Sequence, residues 1–302
     1  MDGSLLAHLL VQENYRVVGL DHPKANLTHL EDIKNRVEVR PFELPGTIDS
    51  LMDVFRDVAP QLVFHLAAIS SPMIARQDPD QAMKVNFDGT ANLLYAVAAA
   101  CHNCRVLHAS SSKIFGDPVE TPQDEETPMG QTSDPYSRSK QMAHLEVDDF
   151  RKRHDLWSCN IIAFNHEHPW RGPDFITSKI TKAAAQISLH KQEHVTVGNL
   201  SQEVDWGYAP DYVRAMLLIL KHKKPENFVL ATGATHSIEQ LCQIAFDCVG
   251  RDWKNHVVVD PNLAKPTTGN KLVGDRQKRQ DCLDGNQPNP LKKLSRKWSK
   301  HN

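Results

Sequence analysis

The stretch Asp134-Pro135-Tyr136-Ser137-Arg138-Ser139-Lys140 places a tyrosine and a lysine four residues apart in a segment of helical character. Side chains at i and i+4 stand one above the other on one helix face. An ammonium beside a phenol favours the phenolate and lowers its pKa. The pair marks Tyr136 as a proton-transfer group working near neutral pH. Solvent-facing helices often carry this spacing, so its surroundings decide. Upstream, Arg105-Val106-Leu107-His108-Ala109-Ser110-Ser111-Ser112-Lys113-Ile114-Phe115-Gly116 is an apolar run that breaks into serines and a glycine. It predicts a buried strand opening into a loop, where α/β sheets put their chemistry. Leu62-Val63-Phe64-His65-Leu66-Ala67-Ala68 is another apolar strand, ending in small residues that let a flat ligand approach the backbone. Lys84-Val85-Asn86-Phe87-Asp88-Gly89-Thr90-Ala91-Asn92-Leu93-Leu94 lies in a long apolar helix.

Strands and helices alternate through the first half. Strands are expected at Val17–Leu20, Val37–Val39, Leu62–Leu66, Val106–Ala109 and Ser158–Phe164. Helices are expected over 80–100 and from Tyr136 to Arg153. This rhythm predicts an α/β fold: a doubly wound parallel sheet with helices on both faces and right-handed crossovers. Beyond Asn165 the pattern changes. Helices are expected at Ile176–Leu189, Asp211–Leu220 and Ile238–Val249, with one strand, Phe228–Ala231, returning to the sheet. The expected division is a dinucleotide-binding domain over 1–164 and a smaller α+β substrate domain over 165–302. Asp260–Gly274, rich in Pro, Asn and Gly, reads as loop. Near the end, Leu291, Leu294 and Trp298 share a face, and the basic residues among them read as a solvated surface.

Of the 302 residues, 40% are hydrophobic and 24% charged, ordinary values for a globular protein. A net charge of −2 gives no electrostatic reason to expect nucleic acid or an anionic membrane as partner. No apolar run approaches the roughly 18 residues of a spanning helix, and the N-terminus lacks a signal-peptide pattern. Six scattered cysteines argue for reduced thiols and a cytoplasmic setting. Cys101 and Cys104 form a C-x-x-C that invites a redox or zinc reading. No second pair completes a metal set, so buried structural thiols are the favoured expectation. His166 and His168 likewise lack partners at ligand spacing.

These pieces together resemble the extended short-chain dehydrogenase/reductase family, the NAD-dependent nucleotide-sugar epimerases and dehydratases. The family's H-L-A-A strand end matches His65–Ala68, and its N-x-x-G-T helix matches Asn86–Thr90. The acidic segment before its tyrosine looks like Asp124-Glu125-Glu126-Thr127-Pro128. The resemblance implies a Rossmann fold, with Ser111 as catalytic hydroxyl, Tyr136 as acid/base and Lys140 as supporting cation. It implies further cofactor contacts at Gly3, Asp21, Glu43, Leu44, Leu66, Ala67 and Ala68. In this family a first strand is followed by G-x-x-G-x-x-G, whose glycines let the backbone approach a pyrophosphate at a helix N-terminus. Met1-Asp2-Gly3-Ser4-Leu5-Leu6-Ala7-His8-Leu9-Leu10 looks like the last of those glycines and the helix after it. The strand and two glycines before it are missing. That strand is central, so its loss predicts unpaired interior backbone. The sequence is expected to start downstream of the natural beginning, or else to be a damaged copy. Asp21 ends the second strand of the motif, where a carboxylate accepts hydrogen bonds from ribose hydroxyls and repels a 2′-phosphate. It favours NAD, while nearby Lys24 keeps NADP open.

The second half carries the longest matches. Asn165-His166-Glu167-His168-Pro169-Trp170-Arg171-Gly172 and Phe175-Ile176-Thr177-Ser178-Lys179-Ile180-Thr181 look like the N-H-E-S-P-x-R-G and F-V-T-x-K-I-T of the GDP-mannose 4,6-dehydratase family. Gly198-Asn199-Leu200, Asp205-Trp206-Gly207-Tyr208-Ala209-Pro210-Asp211-Tyr212-Val213 and Ala231-Thr232-Gly233 resemble its G-N-L, D-W-G-Y-A-x-D-Y-V and A-T-G. The resemblance implies cofactor contacts at His166 and Arg171. It implies a nucleotide-sugar cleft lined by Ser112, Asn165, Lys179 and Asn199, where cations and amides suit a diphosphate. It also implies GDP-mannose as substrate, and a homodimer or homotetramer. The family's chemistry oxidises the sugar at C4, removes water across C5–C6 and returns the hydride to C6. Tyrosine handles the 4-hydroxyl proton and a glutamate takes the C5 proton.

Two positions depart from the family. Its T-S-E is Ser111-Ser112-Lys113 here, and Val204 stands where it has arginine before D-W-G. An ammonium has no lone pair, and with a reference pKa of about 10.4 it would need a drop of roughly three units to serve as a base near pH 7. Three readings follow. The chain is a dehydratase-like lyase, with Lys113 at the family's glutamate position and the base supplied elsewhere or the activity weak; an NAD-linked epimerase or 4-ketoreductase needing only Ser111, Tyr136 and Lys140; or a silent nucleotide-sugar or NAD binder.

Overall fold

The computed structural model describes residues 1–263 and 271–283. The first half runs α1 (Asp2–Gln12), β1 (Val17–Asp21), β2 (Val37–Pro41), α2 (Ile48–Val58), β3 (Leu62–His65), α3 (Pro72–Gln77), α4 (Pro79–Met83), α5 (Gly89–Ala100), β4 (Arg105–Ser111), α6 (Pro135–His154) and β5 (Ser158–Ala163). The second half runs β6 (Asn165–Glu167), α7 (Ile176–Ser188), β7 (Val195–Val197), β8 (Glu203–Tyr208), α8 (Ala209–Leu220), β9 (Phe228–Leu230), β10 (Thr235–Ser237), α9 (Ile238–Asp247), β11 (Val257–Val259) and α10 (Gln277–Leu283).

The main sheet is parallel throughout, in the order β3-β4-β5-β9. β4, β5 and β9 are largely buried on both faces, which explains their near-continuous apolar runs. Along β4 the side chains alternate. Leu107 packs with α1 and α8, and Val106 packs with α2, α5 and α6. The expected return of the chain through β9 is found, in register with β5 from Phe228 to Leu230.

β1 and β2 pair with each other but not with the main sheet. Val17, Leu62 and Phe64 pack into the α1/α8 layer, while Leu20 and Val63 pack into the α2/α5 layer. β1 and β3 therefore lie between the same two helix layers, yet share no ladder. All seven of Val17, Val18, Gly19, Leu20, Leu62, Val63 and Phe64 are only partly buried, whereas β4 and β5 are largely buried. Backbone amides in β1 and β3 are expected to exchange with solvent about tenfold or more faster than those in β4 and β5, measured by native-state hydrogen exchange.

Other departures have local causes. α2 was not expected, and it is started by a capping box in which Thr47 and Ser50 satisfy each other's backbone amides. The helix expected over 80–100 is divided by a π-helical turn, Lys84–Asp88, that turns Asn86 inward. The second half adds a three-stranded sheet, β10-β8-β6, and a parallel pair, β11-β7. Most of these strands have three residues, too few to show a period. The segment 291–298 lies outside the described residues, as does 264–270 of the expected loop. Among the described residues no helix is long and apolar enough to cross a membrane.

Candidate active site

β4 delivers Ser111 at its C-terminal end, and α6 lays Tyr136 and Lys140 over it. α6 is started by Asp134, whose carboxylate accepts from the Ser137 amide at 3.1 Å, with Pro135 in the first turn. Tyr136 is buried and hydrogen-bonded to the Ser111 side chain. Lys140, 4% exposed, donates from Nζ to the Ala109 carbonyl at 2.9 Å. All three groups meet at one strand end.

The electrostatics correct one expectation. Burial raises the Tyr136 phenol above its ordinary value of 10.0, opposed by the Ser111 hydrogen bond and the Arg171 charge and aided by Asp134. Burial also lowers the Lys140 amine, to about 8. Lys140 was expected to depress the phenol. Its amine is instead spent on a backbone carbonyl, and the cation acting on Tyr136 is Arg171, from a distant part of the chain.

The motifs interlock beneath this pair. Asn86 accepts from the Ile69 amide at 2.8 Å and donates to the Ile69 carbonyl at 3.2 Å and to Ser139 Oγ at 2.9 Å. It ties the loop after β3 to the residue beside Lys140. Thr90 Oγ1 lies 2.7 Å from the Asn86 carbonyl and 3.0 Å from His65 Nε2. At Gly89 an added Cβ would come within 3.5 Å of Leu44, so the segment after β2 is seated on the same helix.

A second cluster joins the start of α1 to the segment after β5. Asp2 Oδ2 lies 3.0 Å from His166 Nε2, whose Nδ1 donates to the Phe164 carbonyl at 2.8 Å. Burial would raise Asp2, but the charge and hydrogen bond of His166 outweigh it and leave the carboxyl below its ordinary value. Burial would lower His166, and Asp2 reverses that, so the imidazole is raised. His166 stacks on Tyr212 at 4.5 Å. Glu167 is buried, accepts from Thr177 Oγ1 at 2.7 Å and lies 3.5 Å from Arg171 Nε; burial raises its carboxyl. Arg171 covers the Phe175 ring at 3.5 Å.

The D-W-G-Y and A-T-G runs hold structure. Asp205 is buried and accepts from the amides of Thr232, Gly233 and Gly274 at 3.0, 3.1 and 3.3 Å. A Cβ on Gly207 would run into the Tyr212 ring. Gly207→Ala is therefore expected to cost about 1–3 kcal/mol, read as a lowered thermal midpoint.

The remaining candidates are spread more widely. Ser112 is buried and Lys113 half-buried in the short 3₁₀ turn Ser112–Phe115, where the Lys113 amide donates to Ser111 Oγ at 3.2 Å. Gly3 is exposed in the first turn of α1, and an added Cβ would meet nothing within 4 Å. Leu66, Ala67 and Ala68 follow the end of β3, with Ala67 exposed and the other two half-buried. Asp21 is exposed and accepts from the His22 amide at 2.8 Å, while Glu43 lies 3.8 Å from His22 Nε2. Asn165 is half-buried at the start of β6. Asn199 is half-buried, its amide oxygen accepting from Ser201 at 2.9 Å, and Lys179 is exposed on α7. Cys101 and Cys104 are free thiols, with Cys101 donating to the Pro60 carbonyl and Cys104 pushed up by burial. No metal-holding group of His, Cys, Asp or Glu exists among the described residues. Sequence reading passed over Asp2 and Glu167. Both sat inside quoted motifs as carboxylates, and only the fold shows that they face His166 and Arg171.

An exposed glycine in the first turn of an 11-residue helix suits a pyrophosphate, since helix N-termini attract anions. Arg171 Nε, whose charge acts on Asp2, is buried without a hydrogen-bond partner and suits an anion, while the ionised Asp2 carboxylate opposes one.

The family model of "GDP-mannose 4,6 dehydratase" matches residues 1–296. GDP-mannose 4,6 dehydratase 1 of Arabidopsis thaliana is 35% identical over 297 residues, covering 93% of this chain and 81% of that protein. UDP-glucose 4-epimerase of Thermotoga maritima, solved with UDP-glucose, superposes with a TM-score of 0.86 at 20% identity, over 100% of this chain and 95% of that one. DesIV, a dTDP-glucose 4,6-dehydratase of Streptomyces venezuelae solved with NAD and TYD bound, gives 0.85 at 20% identity, over 100% and 94%. The two structures give the fold.

Proposed function

The chain belongs to the GDP-mannose 4,6-dehydratase family, and from that premise we propose that it is a nucleotide-sugar enzyme acting on GDP-mannose with a nicotinamide dinucleotide. When bound, the dinucleotide supplies a hydride acceptor for C4 of the sugar and a donor for the return. Tyr136 takes the proton of the sugar 4-hydroxyl, and Ser111, hydrogen-bonded to it, holds the same oxygen. Lys140 would supply a buried amine to the bound dinucleotide, and Gly3, His166 and Arg171 would hold its diphosphate. The observation that carries the reading is the meeting of Ser111, Tyr136 and Lys140 at the end of β4, the first from β4 and the other two from α6. Asp21 favours NAD over NADP, because a carboxylate at a strand end pairs with ribose hydroxyls.

Lys113 favours a second reading. An ammonium cannot take the C5 proton, so chemistry that stops at C4, as in an epimerase or 4-ketoreductase, needs only the groups present. Incubating the protein with GDP-mannose and NAD, then following loss of water by mass spectrometry, separates the two. A dehydrated product supports the first. Cofactor reduction or C4 exchange without water loss supports the second, and ligand binding without either leaves a silent binder.

We further propose a division into a cofactor half (1–164) and a substrate half (165–302), and self-association into a dimer or tetramer. Tyr95 on α5 with Met142 and Leu145 on α6 are exposed large apolar side chains suited to that contact. Six cysteines with free thiols suit the cytoplasm.

A further inference from the structure

A row of polar residues crosses the floor beneath α6. His65 of β3, His108 of β4 and Asn160 of β5 are successive register partners across three parallel strands. All three are buried in a sheet whose other positions are mostly apolar. Above them lie Lys140 and His144 of α6. Lys140 Nζ reaches the Ala109 carbonyl beside His108, and His144 Nδ1 lies 3.0 Å from Ser110 Oγ.

The donors and acceptors of this row leave one choice of proton placement. Asp148 is held by Arg151 at 2.8 Å, so its carboxylate accepts. Asn160 Nδ2 lies 3.0 Å from Asp148 and 3.1 Å from the His144 carbonyl, both acceptors, so that end is the amide nitrogen. Asn160 Oδ1 then accepts from His108 Nδ1 at 2.8 Å, which makes His108 the Nδ1–H tautomer. At the other end, Thr90 spends its hydroxyl proton on the Asn86 carbonyl, so His65 Nε2 must donate to Thr90. Both imidazoles are neutral, each with its N–H committed. His108 Nε2 is left as a buried lone pair with no hydrogen-bond partner.

We propose that His108, oriented by Asn160 and Asp148, is a positioning residue for Lys140: its Nε2 lone pair, unpartnered in this structure, is a second acceptor open to the amine, which here donates to the Ala109 carbonyl. The inference deepens the assignment of Lys140 to the site and rests on it. Lys140 Nζ donates to the carbonyl of Ala109, the residue after His108, and its charge lowers both His65 and His108. The groups facing Lys140 are His65 from β3, His108 from β4, and Tyr136 and His144 on its own helix, with Arg171 beyond Tyr136. A neutral acceptor beside an ammonium stabilises the charged form. His108 thus opposes the burial that lowers the amine, and keeps Lys140 protonated over more of the neutral range.

The test titrates Lys140 directly, without substrate. Competitive labelling with acetic anhydride, read by mass spectrometry of the Lys140 peptide across pH, gives its pKa. His108→Leu is expected to lower that value by about one pH unit, and His108→Gln, which retains an acceptor, to restore most of it. No shift, or a rise, in a folded His108→Leu protein overturns the proposal. Should His108→Leu fail to fold, ¹⁵N-histidine NMR of the unaltered protein serves. His108 must appear as the Nδ1–H tautomer, with an Nε2 signal that moves as Lys140 titrates. An Nε2–H tautomer, or a signal blind to that titration, overturns it. Neither readout depends on whether sugar is converted, so failure of the enzymatic reading is seen separately.

Discussion

Lys113→Glu is expected to raise the loss of water from GDP-mannose by about 10²–10⁴-fold, the usual contribution of a positioned general base. Lys113 follows Ser112 in the turn that Ser111 caps, so its side chain leaves the chain two residues from the Ser111 hydroxyl. A carboxylate there regains the lone pair that the ammonium lacks, without lengthening the loop. The measurement is mass spectrometry of the nucleotide sugar after incubation with NAD, with Lys113→Gln as control. The amide has the size of glutamate but no useful basicity, and is expected to match the unaltered protein. A Lys113→Glu protein that binds both ligands but gains nothing would show that the base at this position does not limit the reaction. The C4-only reading would then stand.

The second large effect is at Tyr136. Tyr136→Phe removes one hydroxyl and is expected to slow hydride transfer at C4 by about 10²–10⁴-fold, read from the absorbance of the reduced cofactor. Ligand affinity should change little, because a buried phenyl keeps the packing. The pH dependence of the unaltered protein has a definite sign. Burial raises the phenol above 10.0, so below that pH the phenolate fraction grows about tenfold per unit. Oxidation needs the phenolate as acceptor and should rise with pH through the neutral range. Reduction of a 4-keto sugar needs the phenol as donor and should stay flat there. An oxidation rate that falls on the alkaline side of neutrality would contradict this assignment.

Much of the fold was legible because its signals are local. The strands at 62, 105, 158 and 228 are apolar on both faces, and their spacing by long helices leaves a parallel sheet as the consistent arrangement. α6 was legible from the helical character of its segment and the Tyr136–Lys140 spacing. α2 was harder, since its start depends on Thr47 and Ser50 exchanging hydrogen bonds rather than on an apolar run. β6, β7, β10 and β11 are three residues each, and no periodicity survives at that length. The role of Asp205 was also hidden. In sequence it is one acidic residue in a motif, while in space it gathers three backbone amides from two loops.

Residue order alone determined the layer architecture and the spacing of the Tyr136 phenol and the Lys140 amine, while the family resemblance added the Ser111 hydroxyl and the ammonium at position 113 where the family has a carboxylate. Periodicity and local spacing are properties of neighbouring residues, and neighbours are what a sequence records. Tertiary structure decided the electrostatics and the continuity of the sheet. Burial, rather than Lys140, sets the acidity of Tyr136; Arg171 supplies the nearby charge; Asp2 answers His166 across 164 residues of chain. Desolvation and Coulomb attraction depend on distance through space and on what excludes water, and the order of residues contains neither.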